Sequence, residues 1–280
     1  MSPEILKKIY FNSCCEELKV LKPGNHSSFS KIIGMSEGKF RHAAKISSEF
    51  LTDAKLSLGK AIFLSAKRCK TELNSNYNLG IIILCAPLLR IFMKGSRNLR
   101  KDLSRLLKEI PEKDGQLILD SIQFVKPAGI KNYKGEGNIF LKKINLNFLE
   151  IMKIGSKWDR ISRCYIEDYR EILDFGLPLL YSLKKKTSYT NAIEILYLNY
   201  LANSEDSHLE RKFGVEKARI VMRKSRLLKT KIKVFKKNQK LLMNFDNYLK
   251  KFHYNPGTCA DLTVTTLLID KIRDIFKFSI

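Results

Sequence analysis

The chain has 280 residues, 44% of them hydrophobic, which is enough apolar material for one sizeable core and predicts a stable globular protein. Its 52 lysines and arginines outnumber 28 aspartates and glutamates, and the formal charge of +24 favours anionic partners such as nucleic acid, an acidic membrane surface or polyphosphate metabolites. The longest apolar run, Ile81 to Leu89, contains Pro87 and is about half of the roughly 20 residues that cross a bilayer, so no membrane span is expected.

Two further features bear on the compartment in which the protein works. The six cysteines include no C-x-x-C pair and no spacing typical of a disulfide framework or a zinc site. The segment Met1 to Leu21 alternates charged and apolar residues and does not resemble a signal peptide. We therefore expect a cytoplasmic protein with reduced thiols.

Apolar periodicity predicts helices along nearly the whole chain, whereas strand-like alternation is scarce. Ser2 and Pro3 open the first helix, which ends before Pro23, and a second helix begins near Ser36. Further helices are predicted at 56–70, 79–93, 99–108, 116–125, 145–183 (one or two), 190–203, 205–213, 215–248 and 259–276. The irregular stretch 126–142 is the one long loop, and loops of this length are often functional. With no repeat or linker, the chain is predicted to be one multihelical domain.

Four short loops stand out because in each of them Pro, Gly, Asn or Asp precedes a helix, where backbone amides and the positive end of the helix dipole face anions. They are Lys22–Ser27, Asn76–Gly80, Asp206–Lys212 and Asn255–Asp261. Each also has a purely structural explanation: a tight turn, an N-cap at Asn78, a dipole-compatible order of charges, and a capping box, respectively. Because no P-loop or G-x-G-x-x-G motif is present, a nucleotide would be bound by helix termini, basic side chains and carboxylate-held Mg²⁺.

The segment Arg223 to Lys251 is strongly basic and interleaves its cations with Leu, Ile and Phe. A solvated helical face is the commonest meaning of such a run, and contact with nucleic acid or an anionic membrane is the alternative. Recognised nucleic-acid motifs are absent, which favours the solvated face. Trp158, the one tryptophan, is predicted to lie in the core.

The order of the loops along the chain resembles the triphosphoribosyl-dephospho-CoA synthase family, particularly its archaeal-type branch. That family has a P-K-P-G-N-type loop, an N-T-N-L-G segment leading into A-P-L, a G-G-L-G loop, a helix carrying Asp, D-T-L-I-x-R-K-x-G and N-P-G-T-x-A-D-L. The matching stretches here are Lys22–Asn25, Asn76–Gly80 with Ala86–Leu88, Pro127–Ile130, Trp158–Arg160, Asp206–Gly214 and Asn255–Leu262. Tyr77, Ala128 and Ser207-His208 depart from this pattern, and they leave open a noncatalytic relative or one that uses another cofactor precursor.

The resemblance implies an all-α fold, a single globular domain over residues 1–280 whose loops and helix N-termini converge on a central nucleotide cleft. It implies a transferase that moves a triphosphoribosyl group from ATP to a hydroxyl of dephospho-CoA or a related cofactor precursor, releasing adenine, with Mg²⁺ as cofactor. On matched positions, Asp159 and Asp206 are predicted to be catalytic, and Asp206 and Asp261 to bind metal. The predicted nucleotide- and phosphate-binding residues are Lys22, Asn25, Asn76, Asn78, Arg211, Lys212 and Asn255. The competing function is a basic helical protein that binds nucleic acid or an anionic membrane through residues 223–251.

Overall fold

Helix boundaries in the computed structural model, which describes residues 1–141 and 146–280, follow capping side chains in the sequence. The Ser2 hydroxyl accepts the Ile5 amide at the start of α1, and Ser36 and Ser57 cap the next two helices in the same way. The α-helices of the described residues are α1 (Pro3–Leu18), α2 (Glu37–Leu51), α3 (Leu58–Leu73), α4 (Leu79–Met93), α5 (Leu99–Lys108), α6 (Glu112–Val125), α7 (Phe148–Gly155), α8 (Arg160–Ile166), α9 (Leu177–Lys184), α10 (Tyr189–Asn203), α11 (Ser207–Phe213), α12 (Val215–Lys229), α13 (Gln239–Lys251) and α14 (Gly257–Ile275). A short 3₁₀ turn spans Ile130–Asn132, and a π-helical turn, Glu171–Gly176, runs into α9.

Three helices, α4, α10 and α14, form the centre of the fold. Most of their residues are buried: α4 is apolar around nearly its whole circumference, and the buried Thr263, Thr265 and Thr266 of α14 donate their hydroxyls to carbonyls of the same helix. Helix α14 contacts α1, α4, α9, α10 and α11, while α3 packs against α2, α4 and α6. The predicted all-α class is confirmed, and the described helices build one compact domain. None of these helices combines the length and the apolar character that a bilayer crossing needs.

The sequence predictions are confirmed for most helices and wrong for two segments. Helices α4 and α5 lie at their predicted positions. The segment predicted as one or two helices after the long loop contains α7, α8, the π-helical turn and α9, because Asp159 starts a new helix and the backbone at Asp168 and Tyr169 has positive φ. Asn145 and Lys142, at the edges of these predictions, lie outside the described residues.

The predicted continuous helix 215–248 is also wrong, because α12 and α13 are separated by a loop at residues 230–238. The Asn238 side chain accepts the Lys233 amide at 3.0 Å and donates to the Lys233 carbonyl at 3.0 Å and the Lys236 carbonyl at 2.9 Å. These bonds satisfy the backbone of the loop in place of a helix.

A buried ion pair anchors α8 against the centre of the fold. Arg160 has no exposed surface, and its guanidinium donates to both carboxylate oxygens of Glu171, at 3.1 and 2.5 Å. It also donates to the Tyr200 carbonyl and the Cys259 sulfur, both at 3.1 Å. A buried guanidinium needs such complete pairing. The pairing fixes the N-terminus of α8, where Asp159 stands, relative to α10 and α14.

Candidate active site

The four loops singled out from the sequence meet at two adjoining cavities of about 440 and 100 Å³. Five residues line both cavities and form a shared wall: Asn76, Leu79, Gly80, His208 and Asp261. Of the predicted site residues, Asp159 and Arg211 line the larger cavity, and Asn25, Asn78 and Asn255 line the smaller one. Residues far apart in sequence are therefore brought to one place.

The first and fourth loops are joined directly. The Asn25 side chain donates to the Asn255 side-chain oxygen at 2.8 Å. Below them, the fully buried Tyr197 of α10 donates its hydroxyl to the Pro23 carbonyl at 2.9 Å and lies 3.5 Å from the Pro256 carbonyl. One central helix thus holds both loops at a fixed separation.

Lys22 lies behind this junction rather than on a cavity wall. It has no exposed surface, forms an ion pair with Glu17, and donates to the Asn25 side-chain oxygen at 3.0 Å. Burial lowers the pKa of Lys22 and raises the pKa of Glu17. Lys22 therefore orients Asn25 toward Asn255, and Glu17, which the sequence reasoning missed, lines the smaller cavity.

The N-terminus of α4 forms part of the shared wall. Asn78 occupies the N-cap position with φ +62°, but its side chain donates to the Phe40 carbonyl at 3.5 Å instead of capping the helix. Gly80, in the first turn, allows the Asp261 carboxylate to touch the helix, because an added methyl group would lie 2.0 Å from Oδ2. The acid therefore lies at the positive end of a helix dipole.

Asp261 is the acid best placed to meet a ligand. It lines both cavities, and none of the hydrogen bonds among the described residues involves its carboxylate oxygens. Burial, reinforced by the negative charges of Asp206 and Glu17, raises the pKa of Asp261 well above its usual value. A cation or a hydrogen-bonding ligand would relieve this cost.

Asp206 lines neither cavity and is occupied by three backbone amides. Its Oδ1 accepts from His208 at 2.9 Å and Leu209 at 3.1 Å, and its Oδ2 accepts from Cys259 at 2.8 Å. Only 1% of the residue is exposed. One carboxylate thereby caps α11 and contacts the first turn of α14, which locks the third and fourth loops together.

Asp159 and Arg211 form a pair on the wall of the larger cavity. Asp159 accepts the Ser162 amide at 2.9 Å, which caps α8, and its second oxygen accepts from the Arg211 guanidinium at 2.5 Å. Gly129 brings the mid-chain loop against this pair, since a side chain there would lie 2.2 Å from the Arg211 carbonyl. Lys212, predicted beside Arg211, is exposed, lines neither cavity, and lies over the Phe213 ring at 5.0 Å.

The rest of the larger cavity is mostly apolar. Its apolar lining includes Leu79, Ile83, Leu119, Ile122, Ile130, Ile139, Ile151, Met152, Ile154 and Ile161. Trp158 lines this cavity and packs against Tyr133 with ring centroids 5.0 Å apart, so its predicted core position is wrong. Tyr133 was missed, although an aromatic residue in a long irregular loop was the available signal.

His208 was also missed as a site residue, despite its place inside a predicted loop. It lines both cavities, and an added methyl group at Gly257 would lie 2.6 Å from its Nδ1. Burial, assisted by nearby Arg211 and Lys212, lowers its pKa to about 4. The shared wall therefore carries a neutral imidazole near pH 7.

The chain resembles known proteins both in sequence and in structure. The family model described as ATP:dephospho-CoA triphosphoribosyl transferase (CitG) matches residues 3–279. A crystal structure provisionally described as a triphosphoribosyl-dephospho-CoA synthase from Archaeoglobus fulgidus superposes with a TM-score of 0.63 at 20% identity, covering 81% of this chain and 97% of that chain. This likeness establishes a shared fold. No curated protein sequence matches the chain.

Proposed function

The chain belongs to the ATP:dephospho-CoA triphosphoribosyl transferase family and is a transferase, and we propose that it moves the triphosphoribosyl group of ATP to a hydroxyl of dephospho-CoA or a related cofactor precursor, with release of adenine. The observation that carries this proposal is the convergence of four distant loops on two cavities with a shared wall. The two cavities offer separate environments for the charged and apolar parts of the substrates.

The smaller cavity suits the triphosphate. Asn25, Asn76, Asn78 and Asn255 line it, together with the first turns of α4 and α14. Helix N-termini and amide donors stabilise phosphate oxygens without requiring a P-loop. The formal charge of +24 attracts polyanions to the protein as a whole.

The residues present fit a magnesium ion that arrives with the nucleotide. The described residues contain no group of three His, Cys, Asp or Glu side chains able to hold a metal ion by themselves. Mg²⁺ commonly uses one or two carboxylates together with phosphate oxygens and water. Asp261 would supply the protein ligand, and the ion would neutralise the triphosphate; Asp206, predicted with it, has both oxygens on backbone amides.

We assign proton transfer to Asp159. The C1–N bond to adenine breaks as the acceptor oxygen bonds to C1, and Asp159 takes the hydroxyl proton, which then passes to the departing adenine. The Ser162 amide and the Arg211 guanidinium each use one acceptor site of the Asp159 carboxylate. A carboxylate has about four such sites, so Asp159 can still accept the acceptor hydroxyl while Arg211 holds it on the wall of the larger cavity.

The larger cavity would bind the adenine base of ATP and the reacting end of the acceptor. Its apolar wall and the Tyr133–Trp158 pair suit a flat purine ring, which stacks favourably on aromatic side chains. The adenine base and the reacting end of the acceptor would therefore meet the ribose at the shared wall.

The test is incubation of purified protein with ATP, Mg²⁺ and dephospho-CoA, followed by chromatography for free adenine. Adenine that appears only with an acceptor supports transfer, and related hydroxyl-bearing cofactor precursors in place of dephospho-CoA identify the preferred acceptor. Correctly folded protein that releases no adenine with any of these acceptors would refute the proposal.

A pair of neighbouring cations provides a matched test of the site. Arg211→Gln is expected to lower kcat/KM by about a hundredfold, because a guanidinium on the cavity wall is lost. Lys212→Gln removes the same charge outside both cavities, so we expect a change of no more than about twofold. Steady-state kinetics measure kcat/KM of the two variants. Equal losses would show that activity depends on the overall positive charge and not on the position of Arg211 in the site.

Activity should also show a linkage between protons and magnesium. Asp261 must lose its proton to bind the metal, and its raised pKa places the acid limb of the pH profile above the range of an ordinary aspartate. Because Mg²⁺ favours the ionised carboxylate, more Mg²⁺ should move this limb to lower pH. Profiles of kcat/KM at limiting and saturating Mg²⁺ measure the shift, and an acid limb indifferent to Mg²⁺ would contradict the assignment.

A further inference from the structure

The segment 217–245, which we call the basic hairpin, contains eleven lysines and arginines and no aspartate or glutamate. It comprises most of α12, the loop 230–238 and the first half of α13. None of its residues lines either cavity. The proposed transfer reaction therefore does not explain why so many cations are concentrated in the basic hairpin.

The loop of the basic hairpin is built to a definite shape. Asn238, which is buried, bonds to the backbone of Lys233 and Lys236. Asn191, from the central helix α10, donates to the Val234 carbonyl at 2.9 Å, and the Val234 side chain packs on the core. With Val234 turned inward, the next residue, Phe235, projects with 79% of its surface exposed.

Phe235 is flanked in sequence by cations, and the basic hairpin exposes a second large apolar side chain. Lys233, Lys236 and Lys237 flank it and are all exposed. Leu227, in the last turn of α12, is 66% exposed. Exposed apolar side chains set among cations are the usual composition of a surface that lies on an anionic bilayer.

We propose that the basic hairpin docks the protein on an anionic lipid bilayer, with Phe235 and Leu227 entering the headgroup region and the flanking lysines contacting lipid phosphates. A lysine or arginine near such a surface strengthens binding roughly fivefold, and apolar insertion adds to this attraction. Single-stranded nucleic acid is instead bound in grooves lined by aromatic rings, whereas Phe235 projects from a loop. The inference does not rest on the proposed reaction.

The apolar contact is tested by sedimentation of the full chain with vesicles of phosphatidylcholine, alone or mixed with phosphatidylglycerol. We expect binding to the mixed vesicles only, weakened roughly tenfold by Phe235→Ser. Ile275→Ser is the matched control, because Ile275 is 62% exposed but lies at the end of α14. Circular dichroism confirms that both variants fold, and equal binding of wild type and Phe235→Ser would overturn the proposal.

The ionic contact is tested by two triple variants of equal charge. Exchanging Lys233, Lys236 and Lys237 for Gln should weaken vesicle binding by more than tenfold. Exchanging Lys55, Lys60 and Lys113, which are exposed elsewhere, should have little effect. Equal losses in the two triples, or binding of an oligonucleotide through the hairpin with no vesicle binding, would refute the membrane proposal.

Discussion

Asp261→Asn is expected to lower kcat by roughly a thousandfold, a loss typical of removing a charged catalytic group. The substitution keeps the shape of the side chain, which touches Gly80 at the start of α4. It removes the charge that would bind Mg²⁺ between the protein and the triphosphate. The loss should persist at saturating ATP, and higher Mg²⁺ should not restore it.

The free energy of unfolding of Asp261→Asn shows whether Asp261 acts in the reaction or only stabilises the fold. Because burial raises the pKa of Asp261 in the folded protein, its contribution to stability is present at low pH and lost as pH rises through that folded pKa. The neutral amide avoids this cost, so the variant should be at least as stable as wild type at neutral and higher pH. Urea unfolding at several pH values measures this, and an unstable, inactive variant would indicate a structural Asp261.

Asp206→Asn is expected to act in the opposite way, by lowering the free energy of unfolding by about 3 kcal/mol. The carboxylate accepts three backbone amides, and an amide group in its place would set a donor against one of them, either Cys259 or the pair His208 and Leu209. Any loss of activity should follow the loss of folded protein. Urea unfolding and kinetics on the same samples provide the measurement.

The matched control for this prediction is Asp274→Asn. Asp274 is 63% exposed on its side chain and contacts Lys184 at 3.4 Å, and exposed pairs of this kind contribute little. A stable but inactive Asp206→Asn protein would instead support the catalytic or metal role predicted for Asp206 from the sequence.

Much of the helical framework was predictable because its signals are local. Helix α4 follows from an unbroken apolar run, and α5 begins where the Asn98 side chain accepts the Lys101 amide. The break between α12 and α13 was not predictable, since residues 215–248 contain neither proline nor glycine. Contacts from Asn191 and Asn238 to the loop backbone impose it, and such contacts depend on the tertiary fold.

The site was predictable in its residue types and less so in their contacts. The asparagines at positions 25, 76, 78 and 255 do line the cavities; those at 76, 78 and 255 lie just before α4 or α14, whereas Asn25 is brought there by its bond to Asn255. The Asn25–Asn255 hydrogen bond and the Cys259 amide that Asp206 accepts depend on how distant segments of the chain pack together. His208 was passed over because the resemblance places leucine there.

A crystal structure with Mg²⁺ and an ATP analogue that resists cleavage at C1 would show where the nucleotide binds. We expect triphosphate in the smaller cavity beside Asn25 and Asn255, with the ribose at Asp261 and the base toward Trp158. Nucleotide bound only at the basic hairpin, or both cavities empty at saturating analogue, would contradict this expectation.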